Sequence, residues 1–331
     1  MNNKRKKKKK KKKNIFKSFM LFILYEIIFI LLTSPFVLFY GPFNNLKKAV
    51  VYSVQASQHR YMLSWILPKS YLDSFSSTAS ATTVDQDMSK VKISNNSEDI
   101  SVAELKDNNR FDAYIMKIGR PKRIKVAMTK YLNTRGQKTS EMAKEHNAVA
   151  AINGGTFSDS TGGKYAATGA TPGGFVISDG KVIFKDVSES DKLPVTAFTT
   201  NGKLIVGQHS INDLMSKDVS EAVTFRGTPL IVDGKGQITD QAADGYSPRT
   251  AVGQTSDGTV LFLVVDGRKS LSKLGASLYD LQQIFQNYGV VNASNLDGGD
   301  SATMYYEGKI RNSPNVWSGE RSVATAFVVE Q

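Results

Sequence analysis

The stretch Val291 to Val329, VNASNLDGGDSATMYYEGKIRNSPNVWSGERSVATAFVV, decides how the rest of the chain is read. Apolar residues run into Leu296, break at Asp297-Gly298-Gly299-Asp300-Ser301, and resume from Ala302 to Tyr306. A Gly-Gly pair between two β-rich runs frees the backbone to take positive φ and to approach another group closely. Two carboxylates and the Ser301 hydroxyl flank that turn. Downstream, Ser318-Gly319-Glu320-Arg321 sets a third carboxylate and a guanidinium before a final strand, Val323 to Val329. A plain hairpin is served by Asn-Gly or Asp-Gly. Two acids, two glycines and a serine mark a site.

Upstream, strand signals dominate. Arg110 to Ile118 and Arg123 to Tyr131 alternate as strands, and Ala148 to Ile152 is a short buried strand leading into Asn153-Gly154-Gly155-Thr156-Phe157. Hairpins are expected around Ser178-Asp179-Gly180, Asn201-Gly202 and Ser256-Asp257-Gly258. The hairpin strand Thr259 to Val265 ends at Asp266-Gly267-Arg268. Thr139 to His146 reads as a short capped helix. Gly275 to Tyr288 carries Leu278, Leu281, Ile284 and Phe285 on one helical face, and Gly289 ends it. The expected class is α+β, with mixed β-sheets and few helices, preceded by one transmembrane helix.

The chain of 331 residues is 40% hydrophobic, enough for a sizeable core, and has a formal charge of +13. Lys4 to Lys13 is an unbroken run of bases, and with Lys17, Lys47 and Lys48 it accounts for nearly all of that excess. The body from residue 49 onward is close to neutral, so no nucleic-acid partner is expected. Phe19 to Tyr40 is apolar except for Glu26, and a bilayer core needs roughly 20 such residues. Lysines ahead of it predict a cytoplasmic N-terminus and an external body. The absence of cysteine removes both disulfides and thiolate chemistry.

The expected organisation is a basic cytoplasmic tail (1–18), a transmembrane anchor (19–40), a membrane-proximal segment (41–75), a flexible linker (76–105) rich in Ser, Thr, Asn and Asp, and a folded domain (106–331). His59 falls in the membrane-proximal segment, His146 ends a helix and His209 sits in a loop, and each reads as structural. With no other histidine, a Ser-His-Asp triad is disfavoured.

Acid–base work then falls to carboxylates. The candidate acids are Asp266, Asp297, Asp300 and Glu320. Arginines beside such acids suit phosphate or carboxylate, because the planar guanidinium gives two parallel hydrogen bonds to these oxyanions. Paired carboxylates are the equipment for cleavage at an anomeric carbon. Together they point to a sugar joined to a phosphate. Asp297, Asp300 and Glu320 also leave calcium open as an alternative, but no metal or other cofactor is assigned. Taken singly, Asp266 is as readily a turn residue, Arg268 a solvated one, and Asn153-Gly154-Gly155 a tight turn.

The ordered set AINGGTF (Ala151 to Phe157), TPGGFVISDGKV (Thr171 to Val182), SPRTAVGQTSDG (Ser247 to Gly258), VVDGR (Val264 to Arg268), NLDGGDSATM (Asn295 to Met304) and GERSVATAFVV (Gly319 to Val329) resembles the phosphodiester glycosidase family. The resemblance spans roughly Arg110 to Gln331. It implies hydrolysis of a glycosyl–phosphate diester at the sugar C1–O bond. It places substrate-binding positions on Asn153, Gly154, Gly155, Thr156, Arg249, Arg268, Gly298, Gly299, Ser301 and Arg321. In that implied arrangement Arg249 and Arg321 take the phosphate, and Asp297 and Asp266 face the anomeric centre. Backbone N–H groups of either Gly-Gly pair hold oxygens. Asp300 departs from the glycine found at that place in the family. The implied substrate is a carbohydrate phosphodiester of a bacterial wall or exopolysaccharide. The alternatives are a surface module that binds glycan or anionic polymer without cleaving it, and a metal-dependent phosphodiesterase cutting P–O.

Overall fold

The computed structural model describes residues 2–55, 63–64, 67–76, 85–94, 97–105, 109–158, 168–227, 229–270, 272–316 and 319–331. The chain forms two units, Met1–Leu72 and Asp73–Gln331. In the first, a helix spans Asn2–Tyr40, and its part Phe16–Tyr40 is long and apolar enough to cross a membrane. At 1.5 Å per residue those 25 residues reach about 37 Å, more than a bilayer core of about 30 Å. Shorter helices follow at Asn44–Gln55 and Lys69–Ser76. His59 lies outside the described residues.

The second unit is built mainly of strands. A seven-stranded sheet runs in the order Ile100–Leu105, Ala113–Ile118, Val260–Val265, Arg249–Thr255, Val290–Leu296, Ile231–Val232, Lys235–Gly236. One five-stranded sheet is centred on Leu193–Thr199 and Val219–Thr224, and the other on Ala148–Asn153 and Thr325–Glu330. The α+β class holds: the sheets are mixed in size and strand order, and every described pair is antiparallel.

One core joins the three sheets. Phe198, Phe262 and Phe327, one from each, meet there, with Phe198 edge-on to Phe327 at 5.8 Å between ring centroids. The opposite face of the seven-stranded sheet is covered by the helix Leu278–Asn287, whose Leu281 and Phe285 are fully buried. Each such side chain contributes about 1.5–3 kcal/mol by leaving water. The helix starts on Ser277, whose hydroxyl accepts the Asp280 N–H at 3.2 Å, and stops before Gly289 at φ +69°. Between the five-stranded sheets, the edge strand Ile124–Met128 is sealed by side chains. Glu221 accepts the Val126 N–H at 2.8 Å and Ser178 donates to the Val126 carbonyl at 2.8 Å.

The expected flexible linker needs correction. Residues 85–94 form a strap, and Ile100–Leu105 is a strand of the seven-stranded sheet. Gln86 donates to the Leu204 carbonyl at 2.7 Å and accepts the Val206 N–H at 3.0 Å, so its amide pairs with an edge strand as another backbone would. Lys92 N–H then bonds Ser256 O at 2.9 Å, at the hairpin turn beyond Thr255. Polar composition concealed this because the strap is held by hydrogen bonds, with Val91 its one fully buried apolar side chain. His209 ends the Leu204–His209 strand instead of lying in a loop.

Candidate active site

The strand ends that bear the expected motifs come together at the end of the unit away from the strap's Ser256 contact. Arg249 pairs with Val265 and Thr250 with Leu296, so Arg249, Asp266 and Asp297 lie at one end of the seven-stranded sheet. Asn153 and Thr325 end the neighbouring sheet, where Ala326 pairs with Asn153. Asn153 joins the two. Its buried amide donates to the Asp297 carbonyl at 2.6 Å and accepts from the Thr250 hydroxyl at 2.7 Å and the Thr303 N–H at 3.1 Å.

The glycines are explained by close approach. A Cβ on Gly154 would stand 2.5 Å from Thr325 Oγ1, one on Gly155 would stand 2.3 Å from the Thr224 carbonyl oxygen, and one on Gly298 would stand 2.6 Å from the Pro248 carbonyl oxygen. Gly299 has φ +59°. Several backbone N–H groups expected to receive a ligand are engaged within the protein. Gly154 donates to Thr325 O at 2.8 Å, Gly155 to Thr325 Oγ1 at 3.0 Å, Thr156 to Thr224 O at 2.8 Å and Gly299 to Pro248 O at 2.8 Å. These residues fix the turns against the neighbouring strands.

Asp297 is the acid at the junction. Part of its surface reaches solvent, yet it sits among densely packed atoms, and burial raises its carboxyl to about 6. Ser301, Arg321, Arg226 and the Gly298 N–H oppose that rise by favouring the charged form. The Ser301 hydroxyl is buried and close to Asp297 without being aligned into a hydrogen bond. Arg321 also lies over the Phe157 ring, 4.9 Å from its centroid.

Other candidates have different employment. Arg249 is buried, and its guanidinium donates to Ala276 O (3.1 Å), Asp244 Oδ2 (2.5 Å), Asp244 O (2.5 Å) and Gly245 O (2.9 Å). The expectation that it holds phosphate is therefore corrected: it pins the 244–249 loop. Asp266 accepts from Asn312 Nδ2 at 2.9 Å and the Ser313 N–H at 2.8 Å, and burial raises its carboxyl. Asn312 in turn bonds Ala302 O and the Met304 N–H, so Asp266 braces the strand leaving the Asp297 turn. Glu320 accepts the Ser140 hydroxyl at 2.5 Å and its N–H at 3.1 Å, holding the first turn of the helix Thr139–Glu145. Asp300 pairs with Arg268 at 3.1 Å. The acids that left calcium open thus do not gather, and among the described residues no group of three acids or histidines is arranged for a metal ion.

Residues 146–330 match the model of the phosphodiester glycosidase family. The chain belongs to that family. The SPbeta prophage-derived uncharacterized protein YomE of Bacillus subtilis (strain 168) is 32% identical over 210 residues, covering 60% of this chain and 30% of that protein. Human N-acetylglucosamine-1-phosphodiester alpha-N-acetylglucosaminidase is 33% identical over 91 residues, 26% of this chain and 17% of that protein. This chain therefore spans less than a third of the length of these curated relatives. The zebrafish catalytic domain of the same activity, auto-inhibited by its pro-peptide, superposes with a TM-score of 0.57 at 22% identity. That likeness covers 73% of this chain and 86% of that domain, and speaks for the fold.

In this phosphodiester glycosidase domain, sequence reasoning missed Arg226, Thr224, Thr325 and Asn312. Thr224 ends the strand Val219–Thr224 at the Asn153 turn, and Arg226 follows two residues beyond it. The sequence Thr224-Phe225-Arg226-Gly227 carries a signal, a strand running into a cation and a glycine, but its relevance depends on knowing which strand ends converge.

Proposed function

We propose that the protein is a membrane-anchored hydrolase that cleaves the sugar C1–O bond of a glycosyl–phosphate diester. The observation that carries this reading is the convergence of strand ends that sets the Asp297 turn against the Asn153 turn, with Arg321 and Arg226 acting on a carboxyl that burial raises to about 6. Above that value it is ionised and able to take a proton from water attacking the anomeric carbon. The C1–O electron pair leaves with the phosphate, which departs as a phosphomonoester anion. Such a leaving group needs a cation more than a proton, so one carboxylate on water suffices even though Asp266 and Glu320 are turned to the scaffold. Asp300, paired with Arg268 on the rim, sets where that guanidinium stands.

The span Phe16–Tyr40, with the bases at 4–13 ahead of it, supports an anchor with a cytoplasmic N-terminus and the domain outside. A cell-surface or exopolysaccharide phosphodiester is the substrate that fits this placement. An Asp297→Asn variant that keeps its fold and loses turnover supports the assignment, and one that hydrolyses the diester at the parent rate sinks it. A second reading, a module that binds glycan or anionic polymer without cleaving it, draws on the inward engagement of Arg249 and Asp266.

A further inference from the structure

Four arginines surround the Asp297 turn, and three have partners already described. Arg249 is bonded within the protein, Arg268 to Asp300, and Arg321 lies against Phe157. Arg226 differs: it is exposed and, among the described residues, forms no hydrogen bond or ion pair.

Its backbone is nevertheless fixed. Thr224, two residues earlier, accepts the Thr156 N–H at 2.8 Å and donates its hydroxyl to Gly173 O at 2.5 Å. Phe225 N–H bonds Pro194 O at 3.1 Å. The same Asn153–Thr156 turn holds Asp297 through the Asn153 amide and through Asp297 N–H to Gly154 O at 3.2 Å. Arg226 and Asp297 are thus anchored to a single turn, and the guanidinium charge is felt at the carboxylate.

The geometry points to Arg226 as the residue that holds the phosphate of the leaving group and so selects phosphodiester-linked sugars over sugars joined to a neutral partner. This rests on the glycosidase reading above. A diester monoanion gains negative charge on its phosphate as the C1–O bond breaks and the electron pair moves to oxygen. A guanidinium there is therefore worth more in the transition state than in the ground state. Arginine suits the task because two of its N–H groups reach two phosphate oxygens together.

The test uses the full chain in detergent. Arg226→Ala and Arg226→Lys are compared with the parent on the methyl phosphodiester of N-acetyl-α-glucosamine 1-phosphate and on the 4-nitrophenyl α-glycoside of the same sugar. Binding of inorganic phosphate is measured by calorimetry. One charge-assisted hydrogen-bonding group predicts a loss of roughly 10- to 100-fold in kcat/KM for the diester and in phosphate affinity. Both rates are read well above the Asp297 titration, where that carboxylate is ionised with or without the Arg226 charge; there the nitrophenyl glycoside rate falls much less than the diester rate, the melting temperature holds, and lysine recovers part of the loss. Equal losses on both substrates, or an alanine variant that matches the parent in phosphate affinity and diester turnover, overturn the assignment. So does a parent that binds no phosphate. A parent that cleaves neither sugar yet binds phosphate through Arg226 leaves the anion site standing and removes the glycosidase reading. An alanine variant that cleaves the diester as fast as the parent does the reverse.

Discussion

Replacing Asn153 by alanine should unseat the Asp297 turn from the neighbouring sheet. The side chain is fully buried and bonds three groups: the Asp297 carbonyl at 2.6 Å, the Thr250 hydroxyl at 2.7 Å and the Thr303 N–H at 3.1 Å. Truncation leaves each without that partner, and an unsatisfied buried group costs about 1–3 kcal/mol. Allowing for relaxation and entry of water, the total is about 3–6 kcal/mol, a large fraction of the 5–15 kcal/mol typical of a domain. For a body of this size that corresponds to a fall in Tm of roughly 6–24 °C. Scanning calorimetry on the Asp73–Gln331 unit reads it directly. Asn153→Asp keeps the acceptors but sets a carboxylate against the Asp297 carbonyl, so it should destabilise comparably. An alanine variant melting within about 2 °C of the parent would refute the view that Asn153 joins the sheets.

Three further outcomes follow from the site and the strap. Asp297, raised to about 6, predicts kcat/KM rising with pH through an apparent value near 6, measured as a pH–rate profile. Its folded state binds the proton more tightly than the unfolded chain, so stability falls as pH rises between about 4 and 6. Asp297→Asn should therefore be more stable than the parent at pH 7, by up to about 3 kcal/mol, and show no such gain at pH 3 in urea titrations. Arg249→Ala should lose about 3–5 kcal/mol of stability while the KM of the folded protein holds, because its partners are Asp244, Gly245 and Ala276. Starting the body at Ser97 instead of Asp85 should lower its melting temperature, and Gln86→Ala alone should cost about 1–3 kcal/mol, since the Leu204 carbonyl and Val206 N–H lose their partner.

Local signals carried much of this architecture. The hairpin at Ser178-Asp179-Gly180 was legible because adjacent residues able to take positive φ, here +49° and +72°, make a tight turn between alternating strands. The helix over Leu278–Asn287 was legible because its buried face repeats at helical spacing. The sheets each strand joins were not, since Asn153 and Asp297 meet through a side-chain bond across 144 residues. For the same reason Arg249 read as a ligand-binding arginine: the Asp244 and Ala276 acceptors that engage it are set by loop packing, not by any motif. Glu320 likewise sat beside the right residue, Arg321, while its own carboxylate turned to Ser140.

Which bond breaks separates this hydrolase from a phosphodiesterase. Hydrolysis of a sugar 1-phosphate diester in oxygen-18 water, followed by mass spectrometry of both products, locates it. Cleavage of the sugar C1–O bond puts the label in the released sugar and none in the phosphomonoester. Label in the phosphomonoester would place the cleavage at P–O and contradict it.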